Sequence, residues 1–197
     1  MKTLIKPALF LSVYIIIFGL SSSAISLLSS STLQMVLLFV CLVFLVFILG
    51  LVSFGEGKKA MRVRNGNDAI RKRIIETGDD IELNLSGEFK VYKGFLFGII
   101  VISPLLILLV LHGIAMLSIG QGIGIVETLI KYAGGLFHMI FVALSGITSS
   151  AGYFGALIGV PIMVGTAGLF YYLGGRKEEL VMNSFKQRHE EIYGEQN

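Results

Sequence analysis

Charged side chains are scarce in this chain of 197 residues. Asp, Glu, Lys and Arg make up 15% of it, whereas soluble domains carry about 25%. The shortage is concentrated in residues 7–54 and 94–175, where Glu127 and Lys131 are the only formally charged side chains. Because 54% of all residues are hydrophobic, the composition excludes an ordinary soluble domain and indicates a membrane protein.

Other absences exclude classes of function. The only cysteine, Cys41, lies in an apolar run, so an internal disulfide is impossible. The sequence also lacks a phosphate-binding glycine loop, an HExxH helix and a nucleophile elbow. We therefore predict a non-enzymatic protein, with no catalytic residue, no cofactor and no metal site.

Long apolar runs predict an all-α polytopic membrane protein. Four of them are long enough to cross a bilayer, and they cover residues 7–28, 33–54, 94–117 and 153–173. Residues 136–150 would rise only about 22 Å as a helix, less than the roughly 30 Å hydrocarbon core. We expect 136–150 to be a re-entrant or partial helix.

The first run also fits a cleavable signal peptide over residues 1–24. Lys2 and Lys6 precede an apolar stretch, and Ser22 and Ala24 have small-x-small spacing. The run nevertheless stays apolar over spanning length, which favours an uncleaved first helix. The sequence leaves both alternatives open.

The distribution of positive charge predicts the orientation. Four spans with both termini in the cytoplasm place 15 of the 16 lysines and arginines inside, and Lys131 is the exception. The inside set is Lys2, Lys6, Lys58, Lys59, Arg62, Arg64, Arg71, Lys72, Arg73, Lys90, Lys93, Arg176, Lys177, Lys186 and Arg188. We expect a multi-pass protein of the cytoplasmic membrane.

These spans divide the chain into four parts. Residues 1–54 hold the first two transmembrane helices, and residues 55–93 form a basic cytoplasmic loop. Residues 94–175 hold the last two spans, the partial helix and an outer amphipathic helix in which Glu127 and Lys131 are spaced for an ion pair. Residues 176–197 form a cytoplasmic tail.

The cytoplasmic loop contains signals for local structure. Asn65, Gly66 and Asn67 predict a helix break, followed by a short helix over residues 68–77. Apolar and polar residues then alternate on both sides of a Ser-Gly turn over residues 81–92. That alternation predicts a β-hairpin inserted after the short helix.

A basic cluster follows the second span and consists of Lys58, Lys59, Arg62 and Arg64. Cations beside a bilayer attract anionic phospholipid headgroups, which makes these lipids a predicted partner. The simpler interpretation is that the cluster only sets topology. Nucleic-acid binding is not expected, because acidic residues offset most of the positive charge of the loop.

Small residues at helical spacing predict close helix packing. Gly94 and Gly98 form one such pair, and Ala151, Gly155 and Gly159 repeat at intervals of four. Two interpretations remain open: packing between the third and fourth helices, or contact with another membrane protein or a second copy.

Two histidines are the remaining candidates for chemistry. His112 and His138 both fall toward the outer leaflet in this topology, where they could share a haem or a metal. A pair alone is short of a complete metal ligand set. Separate hydrogen bonds to backbone or water are the alternative.

Two functions follow from the sequence. The first is a non-enzymatic subunit or scaffold of a membrane complex, which packs through small-xxx-small faces and presents its cytoplasmic loop to a partner. The alternative is a small oligomeric channel or permease for an ion or small solute. Its polar lining would come from Ser145, Thr148, Ser149 and Ser150.

Overall fold

Most of the described part of the chain is helical. The computed structural model describes residues 2–28, 30–78, 81–146 and 150–194, and no strand occurs among them. Its elements are α1 (Lys2–Ile25), α2 (Ser31–Thr77), α3 (Tyr92–Ile119), α4 (Gly124–Ser145), a 3₁₀ segment (Ser150–Ile158) and α5 (Gly159–Tyr193). Thr148 and Ser149 lie outside the described residues.

Within the described residues, four helical stretches are long and apolar enough to cross a membrane, as the sequence predicts. They are Leu4–Ile25, Ser31–Thr77, Tyr92–Ile119 and Tyr153–Glu191. Large apolar side chains remain exposed along the first three, for example Phe10, Phe39, Phe44, Phe47, Val110 and Ile114. Hydrocarbon is a favourable environment for such faces, so the chain is a multi-pass membrane protein.

The α1–α2 turn, with residues 26–28 and 30, and the α3–α4 turn, at residues 120–123, lie at one end of the molecule, which we call the far side. The basic side carries the end of α2 and the end of α5. Both helices run from the far side to the basic side, so they pack in parallel.

Helix α2 continues unbroken from Ser31 to Thr77, about 70 Å in length. The predicted break at residues 65–67 and the separate short helix after it are therefore wrong. Asn67 is a residue of α2, and its side chain is buried. Because it hydrogen-bonds to Asn84 and Glu88, in a later segment of the chain, it does not end the helix. Gly78 ends α2 in the left-handed conformation, with φ 75°.

The predicted β-hairpin is also wrong. Among the described residues, 81–91 form turns and irregular backbone. Backbone groups that would pair two strands are hydrogen-bonded to side chains instead. Asn67 accepts from the N–H of Asn84 and donates to its carbonyl. Lys93 donates to the carbonyls of Ser86 and Glu88. An isolated two-stranded hairpin is marginal in water, so these bonds determine the conformation.

Helix α4 is bent by 94° between Gly124–Lys131 and Gly134–Ser145. Gly134 has non-helical backbone angles at the bend, and the Leu105 side chain occupies the space that a side chain there would need. The second half rises only about 18 Å, less than a hydrocarbon core. It is anchored by Leu136 and Phe137, which are fully buried.

Helices α2 and α5 approach most closely at two glycines. A β-carbon on Gly57 would overlap the backbone carbonyl of Tyr171, and one on Gly174 would overlap that of Phe54. At each contact the backbone of one helix touches the backbone of the other, which is possible only because the residue at that point is a glycine. We call this contact the glycine crossing.

Beyond the glycine crossing, both helices continue past their apolar runs. We call residues 55–77 of α2 and 174–193 of α5 the stalk. By helical rise, α2 extends about 35 Å beyond Phe54, and α5 extends about 30 Å beyond Leu173.

Candidate functional site

Three aromatic rings form a cluster near the far side. His138 on α4 stacks on Tyr153 with ring centroids 4.6 Å apart, and His112 on α3 meets the same tyrosine edge-on at 5.5 Å. All three side chains are buried. The structure thus brings the two predicted histidines to one tyrosine, a residue that sequence reasoning did not single out.

Within the described ranges, no group of three or more His, Cys, Asp or Glu side chains is placed to hold a metal ion. The His112 ring also contacts Phe154 at 5.2 Å, so aromatic surfaces cover it on two sides. Contacts among these rings pack the bent α4 against α3 and the 3₁₀ segment.

A cavity of about 320 Å³ lies beside this cluster. Its polar lining includes Ser23, Ser26, Lys131, His138 and Tyr153. A second cavity of about 470 Å³ lies between α4 and the start of α2, and the two share Met139 and Val142 as lining residues. One end of this region is polar and cationic, and the other is mostly apolar.

Glu127 and Lys131 do not form the ion pair that their spacing predicts. The Lys131 ammonium lies 5.7 Å from the centre of the Tyr153 ring, a cation–π arrangement. Glu127 turns toward Gly122 and His112, and its Oε1 has no hydrogen-bond partner among the described residues. The two charges therefore face different partners.

The glycines predicted for helix packing face other parts of the same chain. Gly94 and Gly98 lie against α5, where β-carbons would come within 2.7 Å of Tyr171 Cβ and Val164 Cα. Gly155 and Gly159 lie against the phenylalanine rings of α4. The side chain of Ala151 lies outside the described residues.

The basic cluster lies at the start of the stalk. Lys58 lies over the Phe54 ring at 4.9 Å, and Lys59 pairs with Glu56 at 2.6 Å. Arg62 pairs with Glu178, and Arg64 is exposed on the same helix, without an ion pair to any described residue. Half of the cluster is thus engaged with acidic side chains.

A polar clamp, formed by Asn67, Arg71, Glu88 and Lys93, holds segment 81–91 against α2. Glu88 accepts hydrogen bonds from Asn67 at 2.8 Å and from Arg71 at 2.7 Å. Asn67, Glu88 and Lys93 are all buried. Sequence reasoning missed this clamp because the asparagine stood in a pattern typical of a helix break.

One ion pair links the two helices of the stalk. Arg62 Nε donates to Glu178 Oε1 at 2.7 Å, and Glu178 is buried. The hydrogen bond from Arg62 lowers the pKa of Glu178 below its ordinary value, against an opposing effect of burial. The pair stabilises the fold while the carboxyl is ionised.

Replacing Glu178 by glutamine should therefore reduce stability in a pH-dependent way. Because the folded-state pKa is lowered, the pair contributes fully above the unfolded pKa, and the contribution is lost as the pH falls through the folded value. Unfolding midpoints of Glu178→Gln and the unmodified chain should differ most at about pH 7, above the ordinary glutamate pKa of about 4.3, and converge as the pH falls below the lowered folded-state pKa. Glu190→Gln, at an exposed position of α5, serves as the control, and a difference that is constant with pH would contradict the assignment.

Comparisons with protein-family models, with curated proteins and with solved structures find no match to this chain.

Proposed function

We propose that the chain is a non-enzymatic membrane subunit whose stalk binds a protein partner in the cytoplasm. The orientation follows from the positive charge on the basic side, since loops rich in lysine and arginine stay in the cytoplasm. The observation that carries the proposal is an apolar patch on the stalk.

The patch consists of Leu180, Val181 and Phe185 on α5, with Leu180 63% and Phe185 57% exposed. By helical rise, Phe185 lies about 18 Å beyond Leu173, where the apolar run ends. Apolar side chains at this distance from the bilayer core face water unless another molecule covers them. An exposed apolar patch of this kind is typical of a protein-binding surface.

The surroundings of the patch favour a protein partner over lipid. Positive and negative charges on α5 are equal in number around the patch. The basic residues are Lys177, Lys186 and Arg188, and the acidic residues are Glu179, Glu190 and Glu191. An apolar centre with a mixed-charge rim is the usual composition of a protein interface. Other parts of the same chain cover the four described packing glycines, which are Gly94, Gly98, Gly155 and Gly159. The partner is therefore placed on the stalk and not on these glycines.

Site-specific photo-crosslinking in native membranes tests the proposal. A photoreactive side chain at Phe185 should give one adduct of defined mass, whereas the same group at Asn183, which faces away from Phe185 but stands next to Leu180 on the helix surface, should give it in lower yield. Leu180→Ser should lower the yield at position 185 roughly five-fold, as expected for removal of about 1 kcal/mol of contact energy.

Equal products from positions 183 and 185, or none from either, would contradict the proposal. If the chain were instead a channel or permease, the purified chain alone would carry ions or small solutes across liposome membranes. No crosslinked adduct would then form at the stalk.

A further inference from the structure

A small cavity of about 150 Å³ lies where the stalk meets the apolar runs. Its polar lining comes from α2, the 84–87 turn, α3 and α5, and comprises Glu56, Lys59, Asn84, Ser86, Lys93 and Tyr171. It is smaller than the roughly 300 Å³ at which ordinary ligand pockets begin. Its size therefore suits a small polar group rather than a whole organic ligand.

Lys93 brings a buried positive charge to this cavity. Only 6% of the residue is exposed. Its ammonium donates to the backbone carbonyls of Ser86 at 2.8 Å and Glu88 at 2.6 Å. Both partners are neutral, and the Glu88 carboxylate is already bonded to Asn67 and Arg71.

No carboxylate of the described residues forms an ion pair with the Lys93 ammonium, although the Glu88 carboxylate lies close enough to attract it. Burial, and then the neighbouring Lys90, lower the pKa of this ammonium, against the opposing effect of Glu88. An ammonium has three N–H groups, and two of them are used by the carbonyls. A buried cation with a free donor is stabilised when an anion enters beside it.

Tyr171 supplies a second unfilled polar group. The residue is fully buried and lines the cavity, and its ring stacks on Phe89 at 5.2 Å. Its hydroxyl has no hydrogen-bond partner among the described residues, although the backbone of Lys90 lies close to it. A buried hydroxyl without a partner is costly, and an acceptor in the cavity would remove that cost.

Lys59 completes the cationic lining. It pairs with Glu56 at 2.6 Å, and that pair adds no net charge to the cavity lining. The Lys59 side chain is 69% exposed, whereas that of Glu56 is only 12% exposed. An ammonium has three N–H groups, so Lys59 can donate to an anion while it keeps its bond to Glu56.

We infer that this cavity binds a phosphate group, which Lys93, Lys59 and the Tyr171 hydroxyl would hold. The same chemistry is offered by the headgroup of an anionic lipid and by free inorganic phosphate. The position of the cavity at the end of the apolar runs is accessible to both. This inference is independent of the stalk interface proposed above.

Thermal unfolding of the full-length chain, stripped of lipid in detergent, tests the inference. Inorganic phosphate and phosphatidic acid are titrated separately, with diacylglycerol as the phosphate-free control. At least one phosphate compound should raise the unfolding midpoint saturably, and diacylglycerol should not. Saturation by inorganic phosphate assigns the free anion as a ligand, and saturation by phosphatidic acid alone assigns the lipid.

Tyr171→Phe removes only the hydroxyl and should weaken phosphate binding about ten-fold, the effect of one hydrogen bond to a charged group. Tyr172→Phe, the same change at the neighbouring exposed position, should leave the affinity unchanged. Lys93→Met should abolish the response, but it also removes two bonds of the clamp. The inference is overturned if no phosphate compound gives a saturable shift, or if Tyr171→Phe binds as tightly as the unmodified chain.

Discussion

Replacing Gly57 by leucine should separate α2 from α5 and destabilise the fold by about 3 kcal/mol, near the upper end of overpacking effects. The atoms in the way are the backbone carbonyl of Tyr171, and backbone cannot turn aside as a flexible side chain can. Relief therefore requires the two helices to move apart. That movement would also disturb the opposite contact at Gly174.

Reversible unfolding in detergent gives the free energy of unfolding for this comparison. Gly66→Ala is the control, because nothing lies within 4 Å of a β-carbon at that position of the same helix. It should leave stability unchanged or raise it by up to about 1 kcal/mol through helix propensity. If Gly57→Leu were as stable as Gly66→Ala, the close approach at the glycine crossing would be refuted.

Replacing Asn67 by leucine should release segment 81–91 from α2, at a cost of about 2 kcal/mol. The change removes the hydrogen bonds to both backbone groups of Asn84 and one of the two to the Glu88 carboxylate. Arg71 still binds Glu88, and Asn84 is exposed enough for water to reach it, so the loss is smaller than for a fully buried network.

Amide hydrogen exchange locates this effect. Exchange of residues 81–91 should accelerate about 30-fold, the equivalent of 2 kcal/mol in local opening, while α3 stays protected. Asn183→Leu is the same substitution at an exposed position of α5 and should change neither exchange nor stability. Uniform acceleration over the whole chain would show that Asn67 supports the global fold rather than this segment.

The apolar runs were sufficient to predict the four spanning stretches, because the lipid environment selects them by length and composition alone. Near the predicted partial helix, adjacent glycines at 134 and 135 likewise mark the bend of α4. Both features depend on residues close together in sequence.

The errors lie where partners are distant in the chain. The Asn-Gly-Asn run at 65–67 resembles a helix break, but Asn67 finds its partners 17 and 21 residues later. The alternation over 81–92 resembles a hairpin until Lys93 and Asn67 occupy its backbone groups. In the same way, the meeting of His112 with Tyr153 depends on how α3 and the 3₁₀ segment pack, and local spacing does not report it.

The continuity of α2 has a mechanical consequence. One rigid rod contributes Met35 and Leu38 to a far-side cavity and extends to Thr77 at the end of the stalk. The glycine crossing divides it into arms of about 39 Å and 30 Å. Beyond the crossing, Arg62 ties the rod to α5 and Asn67 ties it to segment 81–91, so the stalk arm cannot pivot apart from these neighbours. A displacement at the far-side end of α2 must therefore move the stalk of both helices together.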